Sequence, residues 1–272
     1  MTADRPPSLV ARLAAPLALA ALALAAVPAY GGTVADRVRT SGTVRVCIWP
    51  DYYGITFRDP RDQQLRGIDI DLSAEFAKRT GAKIRYVDTS FTGFMDELAN
   101  DRCDVAMFAI GITAARQEHV RFSQPYLASG IYGVTTRGNR VVRAWDDIDR
   151  PGVRVAVQAG TFMEPAMAKA LRAATLVVIR PPQTREQELE AGRVDVFMTD
   201  FPYSRRLLQN ADWARLVAPP EPFNPVSYAY AVKPGDDEWL ATVDAFVAEI
   251  KRDGTLAALA AKHGLGEIVV RR

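Results

Sequence analysis

The stretch Gly111-Ile112-Thr113-Ala114-Ala115-Arg116 follows an apolar run and puts an arginine where the chain turns into a helix. Thr113 is suited to cap that helix, which the sequence carries through His119, so Arg116 falls at its third position. A Glu or Gln there closes a capping box, whereas a guanidinium faces the positive end of the helix dipole. An anion in front of the helix removes the conflict. Free amides, the Thr113 hydroxyl and a bidentate guanidinium together form a receptor for a carboxylate. The plainer alternative has Arg116 swing outward and pair with a surface acid such as Glu118.

A complementary charge stands at Asp200, in Thr199-Asp200-Phe201-Pro202-Tyr203, where an apolar run over 194–198 ends just before another helix. Asp followed closely by Pro is good N-cap chemistry, so by itself Asp200 reads as a cap. Set against Arg116 it becomes the second pole of a zwitterion site, one cation facing one anion across a cleft. A third junction, Gln158-Ala159-Gly160-Thr161-Phe162-Met163-Glu164-Pro165, reads as a regular capping box between Thr161 and Glu164 with Pro165 in the first turn. Gly160 there lets backbone approach a ligand closely, or simply makes a tight turn.

Aromatics offer a wall. Trp49, Tyr52 and Tyr53 follow one apolar run, and Phe91 and Phe94 follow the next. Phe94 and Leu98 have helical spacing and belong to a core. Phe91 lies outside that helix and is the better ligand contact, while Trp49 reads as a cover for the sheet end. The motifs that carry catalysis elsewhere, a nucleophile elbow, a phosphate loop or a Ser/His/Asp arrangement, are not found. His119 and His263 lack ligand-like spacing to Cys47 or Cys103, so neither a metal nor another cofactor is expected.

What positions these residues is an alternation of short apolar runs, at 44–48, 83–87, 104–110, 153–157, 176–179 and 195–198, with helical stretches. The clearest helix, 72–80, stops at Gly81. Such alternation makes parallel sheets flanked by helices, with ligands beyond the carboxyl ends of the strands. The chain also repeats itself. Arg102-Cys103-Asp104-Val105-Ala106-Met107 matches Arg193-Val194-Asp195-Val196-Phe197-Met198, and Val44-Arg45-Val46 matches Val153-Arg154-Val155. Single copies at unequal offsets exclude a solenoid and indicate two similar α/β lobes.

Arg5 and Arg12 precede an almost pure Leu/Ala stretch over 13–27 that ends in Val27-Pro28-Ala29, the pattern of a cleaved secretory signal peptide over 1–29. Fifteen residues are too few to span a bilayer. The remainder is expected outside the cytoplasm, most simply in a bacterial periplasm. In that oxidising space Cys47 and Cys103 favour a disulfide. Strand register argues the other way: if their runs start level as parallel neighbours, the two residues are over ~10 Å apart, beyond bridging. The sequence leaves the bond open, with two buried thiols as the alternative. The 34 Lys plus Arg and 32 Asp plus Glu, spread without long runs of one sign, give a net charge of +2 and no footprint for nucleic acid.

At this point the chain resembles the periplasmic solute-binding proteins of ABC importers, specifically the polar amino acid-binding group, family 3 of the bacterial extracellular solute-binding proteins. The resemblance is carried by Gly67-Ile68-Asp69-Ile70-Asp71-Leu72, by 104–113 with Arg116, by Phe122-Ser123-Gln124-Pro125-Tyr126, by 155–161, by Ala191-Gly192-Arg193-Val194-Asp195 and by Lys251-Arg252-Asp253-Gly254-Thr255-Leu256. It implies a type II periplasmic binding protein fold: two Rossmann-like lobes joined by a two-strand hinge, with the ligand in the cleft between them. Lobe one then takes residues 30–130 and a return segment 230–272, lobe two takes 131–229, and the crossings fall near 131–135 and 227–232. It also implies that Arg116 binds the ligand α-carboxylate and Asp200 the α-ammonium. Tyr52 and Phe91 sandwich the side chain, and Gly111, Thr113, Gly160 and Thr161 add backbone or hydroxyl contacts. A monomer handing an amino acid to an inner-membrane ABC permease follows. The chain departs from the family at Gly111, where Ser or Thr is frequent, and at Phe162-Met163, where a more polar pair is. Two rival readings remain: a periplasmic dehydratase of cyclohexadienyl acids, with a carboxylate such as Glu164 as acid or base, and a ligand sensor acting in trans.

Overall fold

The computed structural model describes residues 33–271, with Met1 and Thr2; the expected signal peptide and its cleavage point lie outside the described residues. Thr33 caps α1 (Val34–Ser41), its hydroxyl accepting from the Asp36 amide. The chain then forms β1 (Thr43–Ile48), a small three-stranded sheet of β2 (Asp51–Tyr52), β3 (Thr56–Arg58) and β4 (Leu65–Arg66), and α2 (Ile68–Thr80), which ends at the left-handed Gly81. Next come β5 (Lys83–Asp88), α3 (Phe94–Ala99), β6 (Val105–Gly111), α4 (Ala114–Gln117), β7 (Arg121–Phe122) and β8 (Leu127–Ser129). Strands β1 and β5 to β8, with β14 (Val226–Val232) from the far end of the chain, make a first sheet in the order β5-β1-β6-β14-β7, with β8 also pairing with β14. Every residue of β6 is buried, which is why its sequence is a continuous apolar run rather than an alternation.

The second sheet contains β9 (Ile131–Thr136), β10 (Arg154–Gln158), β11 (Thr175–Ile179), β12 (Val196–Asp200) and β13 (Ala214–Val217), in the order β11-β10-β12-β9-β13. Helices α5 (Met163–Ala170), α6 (Arg185–Glu190) and α7 (Phe201–Asn210) connect them. Strand β14 (Val226–Val232) then returns to the first sheet, followed by α8 (Asp237–Arg252) and α9 (Thr255–Lys262). Helix α8 packs on α2 through Phe76 against Trp239 and Phe246, and the Trp239 indole donates to the Asp104 carbonyl at 2.8 Å.

The repeated sequence words are one device built twice. In the first sheet Asp104 accepts from the Arg45 amide at 2.7 Å and from its guanidinium, setting β1 beside β6; in the second, Asp195 does the same for Arg154 at 2.8 Å, setting β10 beside β12. Register follows, with Val46 opposite Val105 and Val155 opposite Val196. Each aspartate is preceded by an arginine paired to a helix glutamate, Arg102 to Glu97 and Arg193 to Glu188, both at 2.6 Å.

One expectation needs correction, and one alternative that the sequence left open is decided. The crossings between sheets lie at Gly130, between β8 and β9, and at 218–225, between β13 and β14; the Ile131 amide bonds the Phe223 carbonyl at 2.9 Å where they run together. Residues 131–135 belong to β9 and pair on both sides within the second sheet. Residues 227–232 belong to β14, paired with β6, β7 and β8, so the return to the first sheet is complete by residue 226 rather than 230. A central strand whose backbone is taken up on both sides reads the same in sequence as a connecting strand. Second, Cys47 and Cys103 are disulfide-bonded, with Cα atoms 5.6 Å apart. The register argument failed because Cys103 precedes β6: it sits in the turn after α3, its amide bonded to the Glu97 carbonyl, so extended-strand spacing does not apply.

Candidate ligand site

Strand ends of both sheets converge on one pocket. Trp49, Tyr52, Phe91 and Ala109 come from the first sheet and its connections, and Thr161, Phe162, Met163, Arg185, Thr199, Asp200 and Tyr203 from the second. Of the residues expected from sequence, Tyr52, Phe91, Thr161 and Asp200 therefore line it. Arg116 stands behind Phe91, its guanidinium carbon 5.5 Å from that ring centre and 5.6 Å from that of Phe94.

Thr113 caps α4 as its sequence suggests, accepting from the Arg116 amide at 3.3 Å, but the helix ends at Gln117 rather than continuing through His119. Arg116 turns inward and is buried; it does not pair with Glu118. It donates to the Gly111 carbonyl at 2.7 Å and, across to the second sheet, to the Gly160 carbonyl at 2.8 Å. Burial pushes its pKa down to about 10, still protonated at neutral pH. Gly111 lies close under this group: a Cβ there would come 3.3 Å from Phe162 and Val226 and 3.5 Å from Arg116.

Asp200 is a helix cap and a shared acceptor. One oxygen accepts from the Tyr203 amide at 3.1 Å, starting α7, and the other accepts the hydroxyls of Tyr228, at 2.7 Å, and Tyr52. Burial raises its pKa, while the two phenols and then the Tyr203 amide work against that rise. The Tyr52 contact crosses from the first sheet's connections to β12 in the second.

The junction at 158–165 departs from the expected capping box. The Thr161 hydroxyl donates to the Gln158 carbonyl at 2.7 Å instead of receiving the Glu164 amide, and the Glu164 carboxylate accepts from the Gly160 amide at 2.8 Å. The helix starts one residue later than a Thr161 cap would place it, with Phe162 at the cap. Gly160, at φ +75°, is pressed on the 91–92 turn, where a Cβ would come 2.6 Å from the Thr92 side chain and 2.8 Å from its amide.

Tyr52 and Phe91 meet edge to face with centroids 5.7 Å apart, and Trp49 joins both at 5.4 and 5.2 Å. Trp49 is thus part of the wall rather than only a cover for the sheet. Tyr228 and Arg185 were also missed. Arg185 carried a signal: Thr184-Arg185 opens α6 at a strand-to-helix junction, with the same threonine cap and first-turn arginine as Thr113 and Arg116. Tyr228 carried none beyond an apolar strand. Among the described residues, no group of three or more His, Cys, Asp or Glu is placed to hold a metal ion, and no helix is long and apolar enough to cross a membrane.

This geometry has relatives. Cyclohexadienyl dehydratase of Pseudomonas aeruginosa is 32% identical over 241 residues, covering 88% of both chains. The L-cystine-binding protein TcyJ of Escherichia coli is 27% identical over 228 residues, covering 84% of both. Among solved structures, the ancestral amino acid-binding protein AncCDT-1, a precursor of cyclohexadienyl dehydratase, superposes with a TM-score of 0.77 at 31% identity, over 85% of this chain and 99% of that one. An ancestral arginine-binding protein bound to glutamine gives 0.74 at 30% identity, over 82% and 98%. The fold is that of the type II periplasmic binding proteins. The sequence profile of one family matches residues 44–266, and the chain belongs to the bacterial extracellular solute-binding proteins, family 3.

Proposed function

We propose that the protein is a non-enzymatic, extracytoplasmic binding protein that captures an amino acid or similar small zwitterion by closing its two lobes, and delivers it as a monomer to an ABC permease of the inner membrane. The observation that carries this is the opposition of Arg116 and Asp200. One buried cation stands in the short helix that follows β6 of the first sheet, one buried carboxyl ends β12 of the second, and both reach across, to Gly160 and Tyr52. Arg116 is assigned the α-carboxylate and Asp200 the α-ammonium, with Tyr52 and Phe91 against the side chain. Gly111, Thr113, Gly160 and Thr161 supply backbone and hydroxyl contacts. A ligand held from both sides favours the closed form and shifts the population toward it. The test is a thermal-shift screen of the common amino acids on protein first unfolded and refolded to strip copurified ligand. Absence of any stabilisation would sink the reading.

The dehydratase relative supports a second reading. Glu164, its proposed acid or base, is engaged with the Gly160 amide and does not line the pocket, which favours binding. Formation of phenylpyruvate from prephenate, or of phenylalanine from arogenate, lost in Glu164→Gln, would reverse that preference.

A further inference from the structure

The charges around the pocket do not balance for a simple zwitterion. Arg185 lines it from the first position of α6 and is 4% exposed. Its guanidinium donates to the Met198 carbonyl at 2.9 Å and lies over the rings of Tyr203 and Phe197, at 4.5 and 5.1 Å. Among the described residues no carboxylate comes within salt-bridge distance of it. The neighbouring Glu186 turns instead to the Tyr203 hydroxyl at 2.8 Å. A buried guanidinium held by one carbonyl and two ring faces is costly unless an anion completes it.

Asp200 is the only carboxyl among the described residues that line the pocket, and it is already shared between Tyr52, Tyr228 and the Tyr203 amide. With the α-carboxylate on Arg116 and the α-ammonium on Asp200, a neutral amino acid leaves Arg185, which acts on Asp200 only through space, without an anion of its own in this aromatic wall. A basic side chain sets two cations against each other there.

We propose that the ligand carries a second acidic group, received by Arg185; this rests on the amino-acid reading of the Arg116 and Asp200 poles. The planar guanidinium, steadied by Tyr203 and Phe197, presents its remaining N–H groups to a carboxylate on the ligand side chain. Arg185 then sets specificity for acidic over neutral and basic zwitterions, a role distinct from the two poles.

Calorimetric titration of refolded protein compares L-aspartate, L-glutamate and L-2-aminoadipate with L-asparagine, L-glutamine and L-arginine. The expected result is at least tenfold tighter binding of one of the acids than of any amide or of arginine. In folded Arg185→Met and Arg185→Gln, acid and amide should bind within about threefold of each other, with the neutral ligand little changed. An amide or arginine bound as tightly as the best acid by the wild-type protein overturns the second acidic group while leaving the amino-acid site standing. A folded Arg185 variant that keeps the tenfold preference overturns the assignment to Arg185. Failure of every amino acid, of either charge, overturns the underlying reading and this one with it. The wild-type comparison decides even if neither variant folds.

Discussion

Arg116 donates one N–H to the carbonyl of Gly160, 2.8 Å away on the other sheet, and a second to Gly111 at the end of its own strand. One buried cation thus ties together the carboxyl ends of β6 and β10, the place where an open α/β sheet presents its ligand. Arg116→Ala is expected to keep the fold and to lose ~2–5 kcal/mol of ligand binding, the usual loss when one partner of a desolvated charge pair is truncated. Calorimetry on the folded variant checks this, and wild-type affinity there would remove Arg116 from the site.

Asp200 caps α7 with one oxygen and takes two phenols with the other. Asn caps a helix nearly as well as Asp. Asp200→Asn should therefore preserve thermal stability to within about 1 kcal/mol and weaken α-amino acids much more than analogues lacking the amino group. Equal weakening of both would show that the carboxyl serves structure alone.

A second buried carboxyl lies beneath the pocket. Asp69 accepts from the Tyr126 and Tyr230 hydroxyls, at 2.5 and 3.0 Å, and from the Ala109 amide at 2.9 Å. Ala109 lines the pocket at φ +47°, where β14 slips register against β6, so Asp69 holds a strained turn of the pocket floor. Burial pushes the Asp69 pKa up to about 7 from an ordinary 3.8. The folded state therefore binds more protons than the unfolded between these values, and this group's contribution to stability is full below pH 3.8 and falls as pH rises to about 7. The loss is ~4 kcal/mol at most. Asp69→Asn, whose carbonyl can still accept from the Ala109 amide and the Tyr126 hydroxyl while its NH2 donates to the Tyr230 oxygen, removes the charge and should melt higher than wild type at pH 8 and close to it at pH 4. Parallel melting-temperature profiles for the two proteins would refute the assignment.

Much of this was legible because local rules and global fold agree. The doubled Arg-and-Asp words could be read as two lobes since each is a strand clip, Arg45 with Asp104 and Arg154 with Asp195. Arg116 stood out because its position against the helix dipole is locally unfavourable, and Asp200 because a cap placed opposite such an arginine gains a second use. What stayed hidden depends on tertiary register. Tyr228 looks like any residue of an apolar strand until β14 is laid beside β6, and Cys103 looks like part of a strand until the turn after α3 brings it to Cys47. Arg185 was hidden differently: it follows its threonine cap directly, whereas Arg116 stands three residues after Thr113, and the preceding strand ends five residues before Thr184, so the linking turn obscures the junction.

Closure is tested at Gly160. Its backbone rests on the 91–92 turn of the opposite sheet, where an added Cβ would fall 2.6 Å from Thr92 and 2.9 Å from the Phe91 carbonyl carbon. The strain of an alanine at φ +75° is present whether the lobes are apart or together and cancels from the binding equilibrium. The collision exists only when they meet. Gly160→Ala should therefore bind ligand at least about tenfold more weakly, a difference of ~1.4 kcal/mol, although none of its own side-chain atoms faces the ligand. The hinge is expected in the two short crossings at Gly130 and 218–225, which can bend while each sheet stays rigid. Small-angle scattering on refolded protein should show the radius of gyration falling when wild type is saturated with ligand, and falling less in Gly160→Ala at the same ligand concentration. A wild-type radius unchanged at saturation would rule out closure by hinge bending, whatever the affinity of the variant.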